Sequence, residues 1–263
     1  MRLSLAYSPC PNDTFMFGAL AQRRLSAPDL ELEITLDDVE ALNQAAFART
    51  HHLTKLSAAA YVQLQDRYQA LRVGAALGRG AGPLVVTREP LAREALAGSR
   101  VALPGQHTTA HLLFRAWAPP NVEPVHLRYD QIMGAVSAGE VEAGVLIHEG
   151  RFVYAQQGLS LLADLGEWWE EDTDLPLPLG LVAARRDLPQ RVVTQVEESL
   201  RASIVWAQSH REEIFPYLRE HAQELAPDVI WRHVDLYVNE QSLGLDAGGE
   251  AALERLAALA QHA

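Results

Sequence analysis

Strand and helix signals alternate along most of this chain, and that alternation confines it to α/β architecture. The pattern begins at once. Leu3-Ser-Leu-Ala-Tyr7 reads as a short apolar strand and runs into Ser8-Pro-Cys-Pro-Asn-Asp-Thr14. Pro9 and Pro11 deny backbone donors and fix φ, so the strand stops there. Asn12 or Asp13 can cap a helix through Thr14-Phe-Met-Phe-Gly-Ala-Leu-Ala21. A strand that delivers a helix N-terminus through a rigid turn aims free N–H groups at whatever lies above the sheet. Two prolines around a cysteine mark this turn as a site rather than a plain connection.

The alternation continues. Leu30-Glu-Leu-Glu-Ile-Thr-Leu36 has the period of a half-buried strand, and Asp37-Asp38 caps a helix reaching Phe47. Leu53-Thr-Lys-Leu56 is a short strand, and Ser57 opens the next helix. A single strand is expected from Tyr68 to Leu77, after which Gly78-Arg-Gly-Ala-Gly82 turns into Leu84-Val-Val-Thr87. A second unit starts at Arg100-Val-Ala-Leu-Pro104 and passes through Gly105-Gln-His-Thr-Thr-Ala110 into a helix ending near Trp117. Asp130 caps a helix to Ala138, with Gly139 suited to a left-handed C′ position. Val141 to Ile147 is the next strand and ends at His148-Glu149. Leu175-Pro-Leu-Pro-Leu-Gly180 then leads into the return crossing Leu181-Val-Ala-Ala184, and from Pro189 onward the pattern is helical. The expectation is two lobes joined by crossings near residues 84–90 and 176–184. Residues 1–88 and 182–263 form a discontinuous first lobe, and residues 89–181 form the second.

At 263 residues, with 48% apolar and 21% charged residues, the chain has the composition and length for a substantial core. It has no run of 18 apolar residues, so no membrane span is expected. Met1-Arg2 leads straight into a strand without the layout of a signal peptide, and one cysteine suits a reducing compartment. The expected location is cytoplasmic. The net charge, 22 − 34 = −12, argues against nucleic acid or an anionic membrane surface as partner. An anionic ligand must then be held by local groups.

Those groups converge at strand ends. Asn12-Asp13, Ser57 and Thr108-Thr109 each stand where a strand passes into a helix, and ligands of open α/β sheets lie beyond the carboxyl ends of the strands. Each helix start offers unpaired N–H groups and roughly half a unit of positive charge. Lys55 adds a point charge. The same capping residues serve plain N-caps equally well, and the two roles are compatible. His148 follows a strongly apolar strand, emerges at the cleft end of the sheet, and has an ordinary pKa of about 6.5 that suits proton transfer. Glu149 is not expected to orient it, since adjacent strand residues face opposite ways. Bland readings hold elsewhere. His51-His52 lacks metal-ligand spacing, Cys10 and Trp168-Trp169 read as packing, and Gly78 to Gly82 reads as a cleft-lining turn rather than a dinucleotide loop.

Taken together, Ser8-Pro-Cys-Pro-Asn-Asp-Thr-Phe15, Leu53-Thr-Lys-Leu-Ser57, Gly78-Arg-Gly80 with Gly82-Pro83, Pro104-Gly105 with His107-Thr-Thr-Ala110, and Gly144-Val-Leu-Ile-His-Glu149 resemble the 1,4-dihydroxy-6-naphthoate synthase family of the futalosine route to menaquinone. The resemblance covers nearly the whole chain, up to about Leu243. It implies a two-lobed, periplasmic-binding-protein-like type II fold with the ligand in the interlobe cleft. It implies cleavage of cyclic dehypoxanthinylfutalosine, a small carboxylate, to 1,4-dihydroxy-6-naphthoate and dihydroxyacetone, without a cofactor or metal. The family's proton acceptor falls on His148, and its substrate-contacting segments fall on Lys55, Leu56 and Ser57 and on Thr109 and Ala110. Asn12, Asp13 and Thr108 are expected to line the cleft. Two alternatives carry weight: chorismate dehydratase of the same pathway, and a solute-binding protein that captures an anion without reacting. The Ser-Pro-Cys-Pro-Asn-Asp opening and the Leu-Ile-His-Glu segment fit the naphthoate synthases better.

Overall fold

The opening motif folds as a strand and a helix joined by three residues. β1 (Arg2–Tyr7) ends at the prolines, and α1 (Pro11–Ala21) begins at Pro11, where a missing N–H costs nothing because first-turn donors have no helical partner. Cys10 takes the N-cap position without a side-chain cap, so Asn12 and Asp13 lie inside the first turn rather than before it. Every residue of α1 from Pro11 to Ala19 is buried. A helix that is apolar all round must be covered all round, and C-terminal helices supply that cover. The computed structural model describes residues 1–25, 30–224 and 226–261.

In chain order the first unit continues with β2 (Glu31–Leu36), α2 (Val39–Phe47), β3 (Leu53–Ser57), α3 (Ala58–Gln63), β4 (Tyr68–Ala70) and β5 (Ala76–Gly78). The second comprises β6 (Leu84–Thr87), β7 (Arg100–Leu103), α4 (Thr109–Trp117), β8 (Glu123–His126), α5 (Ile132–Ala138), β9 (Ala143–Leu146), α6 (Gly150–Val153), β10 (Ser160–Asp164) and α7 (Leu165–Thr173). The chain returns through β11 (Leu177–Arg185) and ends in α8 (Gln190–Ser209), α9 (Arg211–His221), α10 (Pro227–Tyr237), α11 (Glu240–Leu243) and α12 (Ala247–Ala260).

One sheet has the order β2-β1-β3-β11-β4, with β5 also paired to β11; the other has the order β10-β6-β9-β7-β8. Within the first, β1 runs parallel to β2 and β3, while β11 is antiparallel to β3, β4 and β5. Its core joins Leu3, Leu5 and Tyr7 to Met16 and Phe17 of α1 and to Val192, Val196 and Leu200 of α8. The second sheet is covered on one face by α4 and α7 and on the other by α5. This is the two-lobed α/β arrangement.

Four further details differ from the sequence expectation. The strand expected from Tyr68 to Leu77 is two short strands, because the chain leaves the ladder at Leu71 and turns at Gly74, whose φ is +87°. The expected lobe boundaries also shift. β6 pairs with β9 and β10, so Leu84–Thr87 belongs to the second lobe and the first crossing is residues 79–83. All of β11 belongs to the first sheet, so the return crossing is residues 174–176, ahead of the expected boundary at 181–182. Finally, Asp130 does not cap a helix; a short 3-10 turn, Tyr129–Gln131, precedes α5, and the Asp130 carboxylate is taken by Arg128. Gly139 does close α5 in the left-handed conformation, with φ 72°.

Candidate active site

The carboxyl ends of β1, β3, β7 and β9 face a cleft between the lobes with about 680 Å³ of empty space, part of it open to solvent. Asn12, Asp13, Lys55, Leu56, Ser57, Thr108, Thr109, Ala110 and His148 all line it. The geometry brings together every residue expected to meet a ligand.

Their local roles differ from the simplest sequence picture. Lys55 is not a free cation. Its β3 register opposite Val182 of β11 carries it inward, and only 6% of its surface is exposed. Its ammonium lies 3.2 Å from Asp13 Oδ1 and donates to the Gly74 carbonyl at 2.9 Å. Asp13 also accepts from the Ser8 hydroxyl at 2.7 Å and from the Asn12 amide at 2.9 Å. The opening motif and the β3 lysine thus form one charge-neutral network at the cleft floor. Burial of such a pair is tolerable only because each group is multiply hydrogen-bonded.

Ser57 ends β3 with its side chain turned from its own helix: no cap bond forms, and its hydroxyl accepts from Asn43 Nδ2 at 3.0 Å. Asn43 returns the contact by accepting from the Ser57 N–H at 3.0 Å. Having accepted from Asn43, the Ser57 hydroxyl keeps its hydrogen available for a ligand. Thr108 caps α4 by accepting from the His111 N–H at 3.1 Å. Thr109 spans the lobes: its hydroxyl accepts from Ala59 N–H at 3.2 Å and donates to the Leu179 carbonyl at 2.9 Å.

His148 stands just beyond β9 with φ 54°, a left-handed conformation that histidine adopts more readily than most residues. Its Nε2 has no hydrogen-bond partner among the described residues. The ring meets Tyr129 edge-on at 4.9 Å and stacks over His233 at 6.0 Å. Burial pushes its pKa down to about 4, with the Asp13 carboxylate pulling up and the Lys55 ammonium pushing further down. It is therefore neutral at pH 7, with a lone pair to offer. The left-handed turn also takes Glu149 off the strand, so the alternation rule does not govern where it points. Glu149 is 2% exposed and burial raises its carboxyl to about 7. Cys10 is buried, and burial holds its thiol well above the ordinary value, which removes thiolate reactivity. Trp169 is fully packed in the second-lobe core with Trp168 against its edge, and Ala81, Gly82 and Pro83 line the cleft as the glycine-rich turn suggested.

Sequence reasoning missed Asn43 and His233. Both carried a signal: each is a polar residue in the apolar stripe of its helix, Asn43 beside Leu42 and Ala46, and His233 among Val229, Ile230, Val234 and Tyr237.

Comparison with known proteins follows this geometry. The model of the family described as "Menaquinone biosynthesis" matches residues 3–262. A protein of Thermus thermophilus named 1,4-dihydroxy-6-naphthoate synthase is 54% identical over 259 residues, covering 98% of this chain and 94% of its own length. A Streptomyces coelicolor protein of the same name is 45% identical, covering 97% of this chain and 91% of its own. A crystal structure of an Archaeoglobus fulgidus protein superposes with a TM-score of 0.94 at 38% identity, covering 99% of this chain and 97% of that one. The alkanesulfonate-binding protein of Xanthomonas axonopodis shares the fold, with a TM-score of 0.69 at 17% identity over 90% of this chain and 84% of its own. Identity of this extent over nearly the full length places the chain: it belongs to the 1,4-dihydroxy-6-naphthoate synthase family of menaquinone-biosynthesis enzymes.

Proposed function

We propose that this protein is a cytoplasmic carbon–carbon lyase that cleaves cyclic dehypoxanthinylfutalosine to 1,4-dihydroxy-6-naphthoate and dihydroxyacetone, with His148 as the base. The observation that carries this reading is the placement of a neutral histidine, with an unpartnered Nε2, at the mouth of a strand in an apolar cleft. The substrate's carboxylate pairs with the free hydrogen of Ser57 and with the first-turn N–H groups of Thr109 and Ala110 at the start of α4. Leu56 and the neighbouring apolar wall cover its ring.

His148 removes a proton from the sugar-derived part, and the electron pair moves into the nascent aromatic system as the carbon skeleton breaks. Aromatisation supplies the driving force, so the protein contributes orientation, a base and oxyanion donors. A depressed pKa makes the free histidine a weak base. An anionic substrate entering the cleft adds negative charge beside the ring and raises that pKa, so base strength increases in the loaded site. The Asp13 carboxylate then stabilises the imidazolium that forms.

The test is turnover by purified protein of the cyclic futalosine derivative, with chorismate run in parallel. Release of 1,4-dihydroxy-6-naphthoate and dihydroxyacetone is expected from the first only. Turnover of chorismate, or tight binding of either compound without reaction, overturns the reading.

A further inference from the structure

Behind His148 lies a buried polar pair that the proposed chemistry does not use. Oε2 of Glu149 stands 4.0 Å from Nδ1 of His233, beyond hydrogen-bond distance; both groups are buried, and neither Nδ1 nor either Glu149 oxygen has a hydrogen-bond partner among the described residues. Glu149 comes from the second lobe. His233 lies on α10, which packs against α1 and β5 of the first. The contact therefore crosses the lobe boundary.

The hydrogen-bond network dictates where the protons are. Asp13 Oδ1 receives the Lys55 ammonium at 3.2 Å and the Asn12 side chain at 2.9 Å. An oxygen ion-paired to lysine only accepts, so the Asn12 NH₂ faces Asp13 and the Asn12 Oδ1 faces His233 Nε2, 2.8 Å away. Nε2 of His233 therefore carries the hydrogen. In the neutral ring Nδ1 then presents a lone pair to Glu149. A lone pair facing an ionised carboxylate in a low-dielectric site is repulsive, whereas one proton between them makes the contact attractive and lets it close by about 1 Å into a hydrogen bond.

We propose that Glu149 and His233 hold a single shared proton across the lobe boundary, and that this proton positions His148, Asn12 and Asp13 for catalysis. Burial raises Glu149 to about 7 against the opposing pull of the Glu149 and Gln223 backbone N–H groups, and Glu224 after α9 pushes it up further. Burial holds His233 well below its ordinary value, aided by His148 and by Arg151 of α6. The proton accordingly resides on the Glu149 carboxyl, facing Nδ1 of His233, and is donated to it when the 4.0 Å gap closes to hydrogen-bond distance. Cys10, Tyr129 and Tyr237, the other titratable groups around the pair, are all raised by burial and stay neutral. Fastened to His233, Glu149 anchors the left-handed turn that presents His148, and His233 orients the Asn12 amide that steadies Asp13. Once the proton is lost, repulsion loosens the turn and the lobes part at this point. Glu149 and His233 are thus positioning residues. Their effect on turnover rests on the proposed role of His148, whereas the shared proton does not.

The experiment is nitrogen NMR of ligand-free protein labelled with ¹⁵N-histidine, from about pH 5 to about pH 9, in the unaltered protein and in Glu149→Gln. The His233 signals are identified by their loss in His233→Gln. Expected is a neutral ring protonated at Nε2, with Nδ1 moving from hydrogen-bonded to bare as pH rises through about 7. Glutamine keeps a donor and cannot titrate, so the Nδ1 shift should stay constant in Glu149→Gln. In turnover, kcat/KM of the unaltered enzyme should fall above about pH 7, approaching tenfold per pH unit, while the Glu149→Gln profile stays flat there. A hydrogen on Nδ1, or a pH response identical in both proteins, overturns the proposal. Failure to turn over the futalosine derivative would overturn the functional reading alone, because the NMR result still decides the shared proton.

Discussion

The proposed chemistry rests on one side chain, His148, whose properties follow from its backbone. A left-handed φ of 54° costs a non-glycine residue on the order of 1 kcal/mol. Here it swings the imidazole out of line with β9 and into the cleft, within electrostatic reach of Asp13. Replacement by Asn keeps the tolerance for that conformation and removes the base. His148→Asn is expected to lower turnover by about 10² to 10⁴-fold with the melting temperature maintained or raised. Steady-state kinetics with thermal melting checks this, and a fully active variant excludes His148 as the base. The same residue is expected to set the acid limb. With its free-enzyme pKa at about 4, kcat/KM is expected to hold from pH 7 down to about 5 and to fall only towards 4. A limb at the ordinary histidine value would mean that burial is not controlling it.

At the scale of elements, the site depends on close approach of backbones at the crossings. Gly82, between β5 and β6, lies against Gly166 at the start of α7; a Cβ on Gly82 would stand 2.1 Å from the Gly166 nitrogen. Backbone cannot yield as a side-chain tip does, so α7 would have to move, and with it the second-lobe core around Trp169. Gly82→Ala is therefore expected to destabilise the protein by about 3 kcal/mol or more, whereas Gly98→Ala meets no neighbour and carries only its left-handed backbone cost, about 1 kcal/mol. Denaturant melts of the two variants give the comparison, and equal losses would show that the Gly82–Gly166 contact is dispensable. α1 shows the same dependence on neighbours. Its buried surface is nearly continuous because α8, α9 and α10 enclose it, and that enclosure fixes Asn12 and Asp13 at the cleft floor.

For the whole molecule, the lobes meet through contacts that substrate binding can reinforce. The Glu40 carboxylate of the first lobe accepts from the His107 N–H of the second at 3.0 Å, and Thr109 accepts from Ala59 N–H. Ser57 and Lys55 line one side of the cleft and Thr109 and His148 the other, so in the proposed reaction neither lobe alone would hold substrate against the base. Closure around ligand is expected, excluding water and assembling the site. Small-angle scattering should show a smaller radius with saturating naphthoate product, and Thr109→Val should shift the ligand-free particle toward the open form. An unchanged radius would establish a rigid cleft. Buried histidines also set the pH response of stability. His148 and His111 are both lowered by burial to about 4, so the folded state resists charging them. Their contribution is complete above about pH 6.5 and is lost as pH falls from there towards 4. Glu149, raised to about 7, acts oppositely: its contribution is complete below its ordinary value of 4.5 and is lost as pH rises to 7. The melting temperature should fall on acidification below about pH 6.5, and Glu149→Gln should melt higher than the unaltered protein at about pH 8 and equal to it near 4.5. Equal melting at both pH values would contradict the burial of an ionisable Glu149.

The alternation of signals in Leu3–Tyr7, Leu30–Leu36 and Leu53–Ser57 determined the α/β class and the first three strands of the chain, because each pattern is local and repeats with the period of its own element. Strand ends leading into helix starts likewise identified Asn12, Ser57, Thr108 and His148 as cleft residues, since parallel strands must present their carboxyl ends on one side. What the local pattern lacks is partners. It does not tell that β6 pairs with β9, that β4 and β5 part at Gly74, or that Lys55 spends its charge on Asp13. Those outcomes depend on contacts between residues far apart in the chain. The packing of α10 against α1, more than two hundred positions apart, decides that His233 meets Asn12 and Glu149. A histidine in the apolar stripe of a helix is the same sequence feature whether it faces core or catalytic machinery, and only the tertiary structure supplies what stands opposite.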